Sequence, residues 1–362
     1  MNRSVAMTPA TRQSLTQWAG QQLDQRQWQY QQPLTLSPLS GDAGFRRYFR
    51  LNSDPCLLAV FAPPTVEKNE AFVALAAHFV AQGIHAPEVV AVNYSEGFLL
   101  LEDFGDRLLC GELNDGSVDM LYGEALLTLM RLQQCPAQGI TAADGQPFEL
   151  PDYDGDLLRQ EMSLLHEWFI PQLLGYSLSA EEQTMLEGVY DTLAVSALEQ
   201  PAVCVHRDYH SRNLIYREGQ APGVIDFQDA VRGPITYDLV SLLRDCYVRW
   251  PRNRVQRWAL AYGTMVEDAG LVHEVSQQQW LRWFDMTLQA HQIKVLGIFA
   301  RLHLRDGKDG YLNDLPLVMR YTLEVAEQYP EFAEFVAWFK QKLLPLCEKQ
   351  VWYRDFRTAG DS

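Results

Sequence analysis

Residues 202–239, AVCVHRDYHSRNLIYREGQAPGVIDFQDAVRGPITYDL, decide how the rest of the chain is read. Two short apolar runs, 213–216 and 223–226, flank a polar turn holding Glu218, Gly219 and Gln220, which predicts a β-hairpin. Antiparallel pairing of the runs puts Asn213 opposite Asp226 at the open end. Asp208, five residues before Asn213, lies on the loop feeding that end. Two carboxylates and a carboxamide offer hard oxygen ligands, a set suited to Mg²⁺.

The order His206-Arg207-Asp208, then Asn213, then Asp226-Phe227, has the spacing of a kinase catalytic loop followed by its metal-binding aspartate. It predicts phosphoryl transfer. Asp208 would take the acceptor hydroxyl's proton or hold its oxygen in line, while Asp226 and Asn213 would form the metal site. Taken singly, each residue also fits a loop cap; the joint spacing favours catalysis. His206 is expected to be buried and to hold the loop. Asp238 opens a helix, where it would sit in the favourable field of the helix N-terminus or bond to the catalytic loop. Asp229 is a spare carboxylate that metal or substrate would suit.

Upstream, residues 8–30 read as an amphipathic helix with Leu15, Trp18, Ala19, Leu23 and Trp28 on one face. Residues 34–60 read as strands around the turn Ser40-Gly41-Asp42-Ala43-Gly44-Phe45-Arg46-Arg47. Its glycines would let backbone N–H groups approach phosphate, and Arg46 and Arg47 can bind phosphate oxygens. By alternation only one of the two arginines faces the cleft. A helix over 65–82, capped by Thr65 and stopped by Gly83, precedes strands at 88–92 and 98–101. Glu102-Asp103-Phe104-Gly105 then reads as a hinge. Beyond it the pattern is helical: 115–134, 152–174, 179–197, 237–247, 251–269, 275–302, 315–329 and 330–344. This makes an α+β chain with a β-rich nucleotide-binding lobe, 1–103, and a mainly helical catalytic and substrate lobe, 104–362. Lys294, Arg301 and Arg305 are spaced so that one helix face can present all three, as a solvated face or an anion site.

The 362 residues carry a net charge of −16, which argues against nucleic acid or an anionic membrane as the main partner. Six cysteines without a CxxC pair exclude a zinc ribbon or redox motif and fit small core residues in a reducing compartment. No apolar leader opens the sequence, and the most apolar helix-like window, 71–81, is too short to cross a bilayer. A cytoplasmic protein is expected.

HRDYHSRN, VIDFQDA and GPITYDL resemble the aminoglycoside phosphotransferase superfamily. With GDAGFRRYFR, FLLLEDFG, LLRQE and KVLGIFARLHLRDGK, the chain is most similar to the bacterial anomeric sugar kinases within it, from about residue 34 to 344. The resemblance implies a bilobal protein-kinase-like fold, ATP as co-substrate, and phosphorylation of N-acetylmuramate or N-acetylglucosamine at the anomeric hydroxyl in cell-wall recycling. It implies Asp208 as base, Asn213 and Asp226 as metal ligands, and Gly41, Asp42, Gly44, Phe45, Arg46 and Arg47 in the phosphate loop. Adenine would lie near Leu101, Glu102 and Asp103, and sugar near Arg159, Glu161 and Arg305. A small-molecule kinase of another alcohol or an aminoglycoside, and a nucleotide-binding pseudokinase, are the competing readings. One departure stands out: the third strand, Leu57-Leu58-Ala59-Val60-Phe61, lacks the phosphate-binding lysine of kinases, and the nearest lysine is Lys68. Either Arg46 or Arg47 supplies that charge, or the nucleotide sits differently, and neither Glu67 nor Glu70 can be given the usual ion-pair role.

Overall fold

The computed structural model describes residues 7–39, 45–141, 145 and 147–361. The chain forms two compact units, Met1–Leu150 with Arg212–Ala230, and Pro151–Ser211 with Val231–Ser362. Helices and a sheet mix in the first, and helices dominate the second. The sequence-based division after residue 103 follows the hinge-like segment, whereas these units follow packing.

In the first unit, helix α1, Pro9–Gln25, starts where Thr8 accepts the Thr11 N–H and Pro9 takes the first helical position. It is shorter than the expected 8–30. Gln27 adopts φ 57°, and Gln29–Tyr30 then pairs with Ser53–Asp54. Leu15, Ala19 and Leu23 are fully buried, with Trp18 and Trp28 beside them.

They pack on an antiparallel sheet of β1 (Leu36–Pro38), β2 (Arg47–Leu51), β3 (Leu57–Phe61), β4 (Val89–Asn93) and β5 (Phe98–Glu102). The strand order is β1-β2-β3-β5-β4. Because side chains alternate across a sheet, Leu57, Ala59 and Phe61 join Phe49 and Leu51 against α1. Tyr48 pairs with Val60, and both therefore belong to the other face.

Helix α2, Asn69–Ala81, begins later than Thr65 because Pro63 O accepts the Val66 and Glu67 N–H groups in a turn. The Asn69 amide then donates to Ala62 O at 2.8 Å. Gly83, at φ 76°, ends α2. In α3, Val118–Gln134, Leu121, Leu126 and Leu132 are buried, but Met120 and Leu127 are exposed.

The hairpin of Leu214–Ile215 and Gly223–Val224 belongs to this unit. Val224 N–H donates to His85 O, Tyr216 N–H donates to Arg107 O, both at 2.7 Å, and Ile215 bridges Leu108.

In the second unit, α4 (Gly155–Leu164) runs into a π-helical segment, Leu165–Leu173, holding Pro171, where a single helix was expected. Proline has no N–H to continue the α-helical ladder. Ser179 and Glu182 form a reciprocal capping box opening α5, Ala180–Leu198. Strands β6 (Ala202–Val205) and β7 (Val231–Pro234) pair antiparallel. Then come α6 (Tyr237–Leu243), α7 (Arg252–Asp268), α8 (Gln277–Asp306) and α9 (Leu315–Ala326).

The 30-residue α8 is the spine of the unit, packing against α4, the π-segment, α5, α6, α7 and α9. Gly297 lets it cross the end of α4, where an added Cβ would stand 2.3 Å from the Leu164 carbonyl carbon. Backbone cannot yield as a side chain can, so Gly297→Ala should cost about 1–3 kcal/mol. Thermal unfolding checks this, and a wild-type melting temperature would contradict so close a crossing.

Among the described residues no helix is long and apolar enough to cross a membrane. None of the six cysteines is in a disulfide. Cys135, Cys204 and Cys347 are buried as expected, but Cys56 is exposed.

Candidate active site

The proposed base and the residues around it lie in the second unit. Strand β6 delivers His206-Arg207-Asp208, and an unusual turn follows: Arg207 adopts φ 75°, a conformation that costs a non-glycine residue about 1–2 kcal/mol. The surroundings hold it in place. The fully buried Asp238 on α6 accepts the His206 N–H at 2.7 Å and the Arg207 N–H at 3.0 Å, one on each carboxylate oxygen. Burial pushes the Asp238 carboxyl up, to about 7, and the two N–H groups pull it the other way. His206, also fully buried, accepts the Asp208 N–H on Nδ1 at 3.2 Å. Asp208 itself is exposed. Further along, the Ser211 hydroxyl donates to buried Asp245 at 2.6 Å, and Asp245 also accepts the Tyr247 and Val248 N–H groups. The loop bearing Asp208 is thus tied at both ends by buried carboxylates.

Behind it lies a charge cluster that the sequence does not announce. Glu161 of α4 is bonded to the Arg207 guanidinium and to the Tyr153 hydroxyl, and Lys294 Nζ of α8 stands 3.1 Å away. Lys294 also donates to the Tyr237 hydroxyl at 2.7 Å. Burial alone would raise the Glu161 carboxyl, but Lys294 and Arg207 outweigh it and hold it at about 2. Lys294 is therefore internal rather than part of a solvated cationic face, and Arg305 at the exposed end of α8 pairs with Asp306. Arg159, two residues before Glu161, pairs with Asp191 and Glu187 of α5. Of the three sequence-derived sugar contacts, only Glu161 joins the cluster behind Asp208.

The remaining candidates lie in the first unit. The hairpin register is one residue off the expected one: Leu214 pairs with Val224, so Asn213 stands across from Ile225 and not Asp226, and Ile225 N–H donates to Asn213 O at 3.1 Å. The polar turn takes up the extra residue. Asp226 follows at the same open end with φ 67°, exposed, in a left-handed conformation that Asp tolerates better than most residues. Phe227 anchors it. Its fully buried ring stacks on Phe72 at 5.0 Å and meets Phe79 edge-on at 5.4 Å. Lys68 reaches Asp229 at 2.7 Å.

Gly41, Asp42 and Gly44 lie outside the described residues. Phe45 N–H donates to Glu67 at 3.3 Å. Arg46 is 7% exposed and pairs with Glu67 at 3.2 Å, while Arg47 is exposed on the other face. At the end of β5, Leu101 pairs with Leu58 and Glu102 with Leu57. Asp103 accepts the Gly105 N–H at 2.9 Å and is bonded to Arg50, which also holds Asp106. Among the described residues no group of three or more His, Cys, Asp and Glu side chains forms a ready metal cage. One carboxylate and one carboxamide, from Asp226 and Asn213, fit Mg²⁺, which keeps several waters and takes phosphate oxygens as its other ligands.

An exposed aspartate on a loop held by buried carboxylates, and an Asp-Phe pair beside a short hairpin, fit a phosphotransferase. The chain belongs to the phosphotransferase enzyme family, whose model matches residues 35–274. It is 39% identical over 308 residues to the N-acetylmuramate/N-acetylglucosamine kinase of Pseudomonas aeruginosa, covering 85% of this chain and 88% of that one. To the protein of the same name from Pseudomonas putida it is 36% identical, covering 89% and 94%, and to that from Neisseria meningitidis 35%, covering 83% and 89%. Among solved structures it is similar to a choline/ethanolamine kinase family protein from Mesorhizobium loti, with TM-score 0.58 and 15% identity over 89% of this chain and 98% of that one. An ADP-bound aminoglycoside phosphotransferase matches with TM-score 0.54 and 15% identity, over 85% and 98%. Both confirm the kinase-like fold.

Proposed function

We propose that this chain is an ATP- and Mg²⁺-dependent kinase that phosphorylates N-acetylmuramate and N-acetylglucosamine at the anomeric hydroxyl. The observation that carries the reading is likeness, across more than four fifths of both chains, to curated relatives that bear those sugars' names. In this reading Asp208, exposed on its tethered loop, takes the anomeric proton as the sugar oxygen bonds to the γ-phosphorus. The bond from that phosphorus to the bridging oxygen breaks, and ADP leaves. An anomeric hydroxyl is more acidic than an ordinary alcohol, so the demand on Asp208 is modest. Asn213 and Asp226 would hold Mg²⁺, which when bound neutralises phosphate charge.

Adenine is assigned to the backbone of residues 101–103, after which we place the functional boundary between nucleotide and substrate lobes. Glu161, Arg159 and Arg305 remain candidate sugar contacts, with Glu161 favoured by its place behind Asp208. The reaction belongs to cell-wall recycling in the cytoplasm. An ADP-release assay with each sugar, beside Asp208→Asn, tests the proposal. Sugar-dependent turnover well above the variant is expected, and its absence for both sugars would refute it.

A further inference from the structure

Strand β3 offers no cation to a nucleotide, yet a guanidinium is built into the same face of the sheet. Arg46, Tyr48 and Arg50 alternate onto the face opposite the α1 core, and Tyr48 pairs with Val60 of β3. A β3 lysine directed toward Asp226 would therefore have stood at Val60, an aliphatic residue with 1% exposure. Arg46, just before β2, lies on that side instead.

Its surroundings are those of a held group rather than a solvated arginine. Nε meets Glu67 at 3.2 Å, one terminal nitrogen donates to the Gln228 carbonyl oxygen at 2.7 Å, and the planar head lies 4.8 Å over the Phe72 ring. The other terminal nitrogen is buried and makes no hydrogen bond among the described residues, although the Tyr48 hydroxyl interacts with the guanidinium. A buried charged donor left unsatisfied costs more than its bond would return, so it marks a place for an acceptor that arrives from outside. The Gln228 amide, which gives its oxygen to Arg46, turns its NH₂ to Asp226 Oδ1 at 2.9 Å. One side chain thus joins the guanidinium to the proposed metal ligand.

We propose that Arg46 is the phosphate-contacting cation that replaces the missing β3 lysine, with Glu67 as its counter-ion and Gln228 as a positioning residue that sets Arg46 and Asp226 in register. This rests on the kinase reading, and it goes further by settling which of the two arginines acts and by giving Glu67 and Gln228 their work. An arginine there offers a planar fork to two phosphate oxygens, where a lysine offers a point charge.

The test is calorimetric titration of the full chain with ADP in Mg²⁺ and, separately, with adenosine, which has no phosphate. Arg46→Ala should weaken ADP binding by about tenfold or more while leaving adenosine affinity unchanged, as expected for a lost charge-assisted bond. Arg47→Ala should have the smaller effect on ADP. Unchanged ADP affinity in Arg46→Ala, or equal weakening of ADP and adenosine, would overturn the proposal. Should Arg46→Ala fail to fold by circular dichroism, Gln228→Ala takes its place. It is expected to weaken Mg²⁺–ADP and spare adenosine, and wild-type Mg²⁺–ADP affinity in it would overturn the positioning role. A wild type that binds ADP through Arg46 but phosphorylates neither sugar would refute the sugar assignment and leave this inference intact.

Discussion

Asp208→Asn should lower kcat by about 10²- to 10⁴-fold, the usual contribution of a positioned general base. The carboxamide has nearly the same shape but cannot accept the proton. The loop should keep its form, because its anchors are elsewhere: Asp238 holds the His206 and Arg207 N–H groups, and His206 takes the Asp208 N–H through its ring. None of these uses the Asp208 carboxylate. Circular dichroism and ADP affinity should therefore match wild type while turnover falls. The acidity of an anomeric hydroxyl argues for the lower half of the range. An Asn variant with wild-type kcat would remove Asp208 from the chemistry.

Glu161→Gln should strongly destabilise the second unit. It leaves the half-buried Arg207 guanidinium and the buried Lys294 ammonium without their shared carboxylate. Breaking a buried ion pair from one side costs about 3–5 kcal/mol. The pH dependence gives a sharper signature. The Glu161 carboxyl is held at about 2 against an ordinary 4.5, so its folded value is depressed. Its stabilisation is complete above the ordinary value and is lost as pH falls from there through about 2. By linkage this amounts to about 3 kcal/mol. Chemical denaturation from pH 6 to pH 2 should show that loss in wild type and not in the Gln variant. Parallel curves for the two proteins would show that the charge cluster contributes nothing.

The sequence made the sheet, the helices and the catalytic loop legible for a definite reason: their information is local. Alternation in Leu57–Phe61 tells which side chains face a core, and the spacing from His206 to Asp226 marks Asp208 and Asp226 as candidates. What was hidden required contacts between distant segments. Glu161 and Lys294 are 133 positions apart in the chain, and nothing near either one marks a buried pair. Nothing in the sequence singles out Gln228, whose amide joins Arg46 to Asp226. The hairpin register differs by one residue from the expected one because the polar turn between 216 and 223 leaves the loop length open, and register follows turn geometry. The missing β3 lysine was plain from the sequence. That Arg46 faces inward and Arg47 outward needed the coordinates.

Phosphoryl transfer to an anomeric oxygen is tested most directly by the product itself. N-acetylglucosamine incubated with ATP, Mg²⁺ and the full chain should yield a phosphate monoester whose ³¹P resonance couples to the anomeric proton, with the loss of the sugar's reducing end. A phosphate coupled to the protons at carbon 6, or a product that still reduces, would contradict the account.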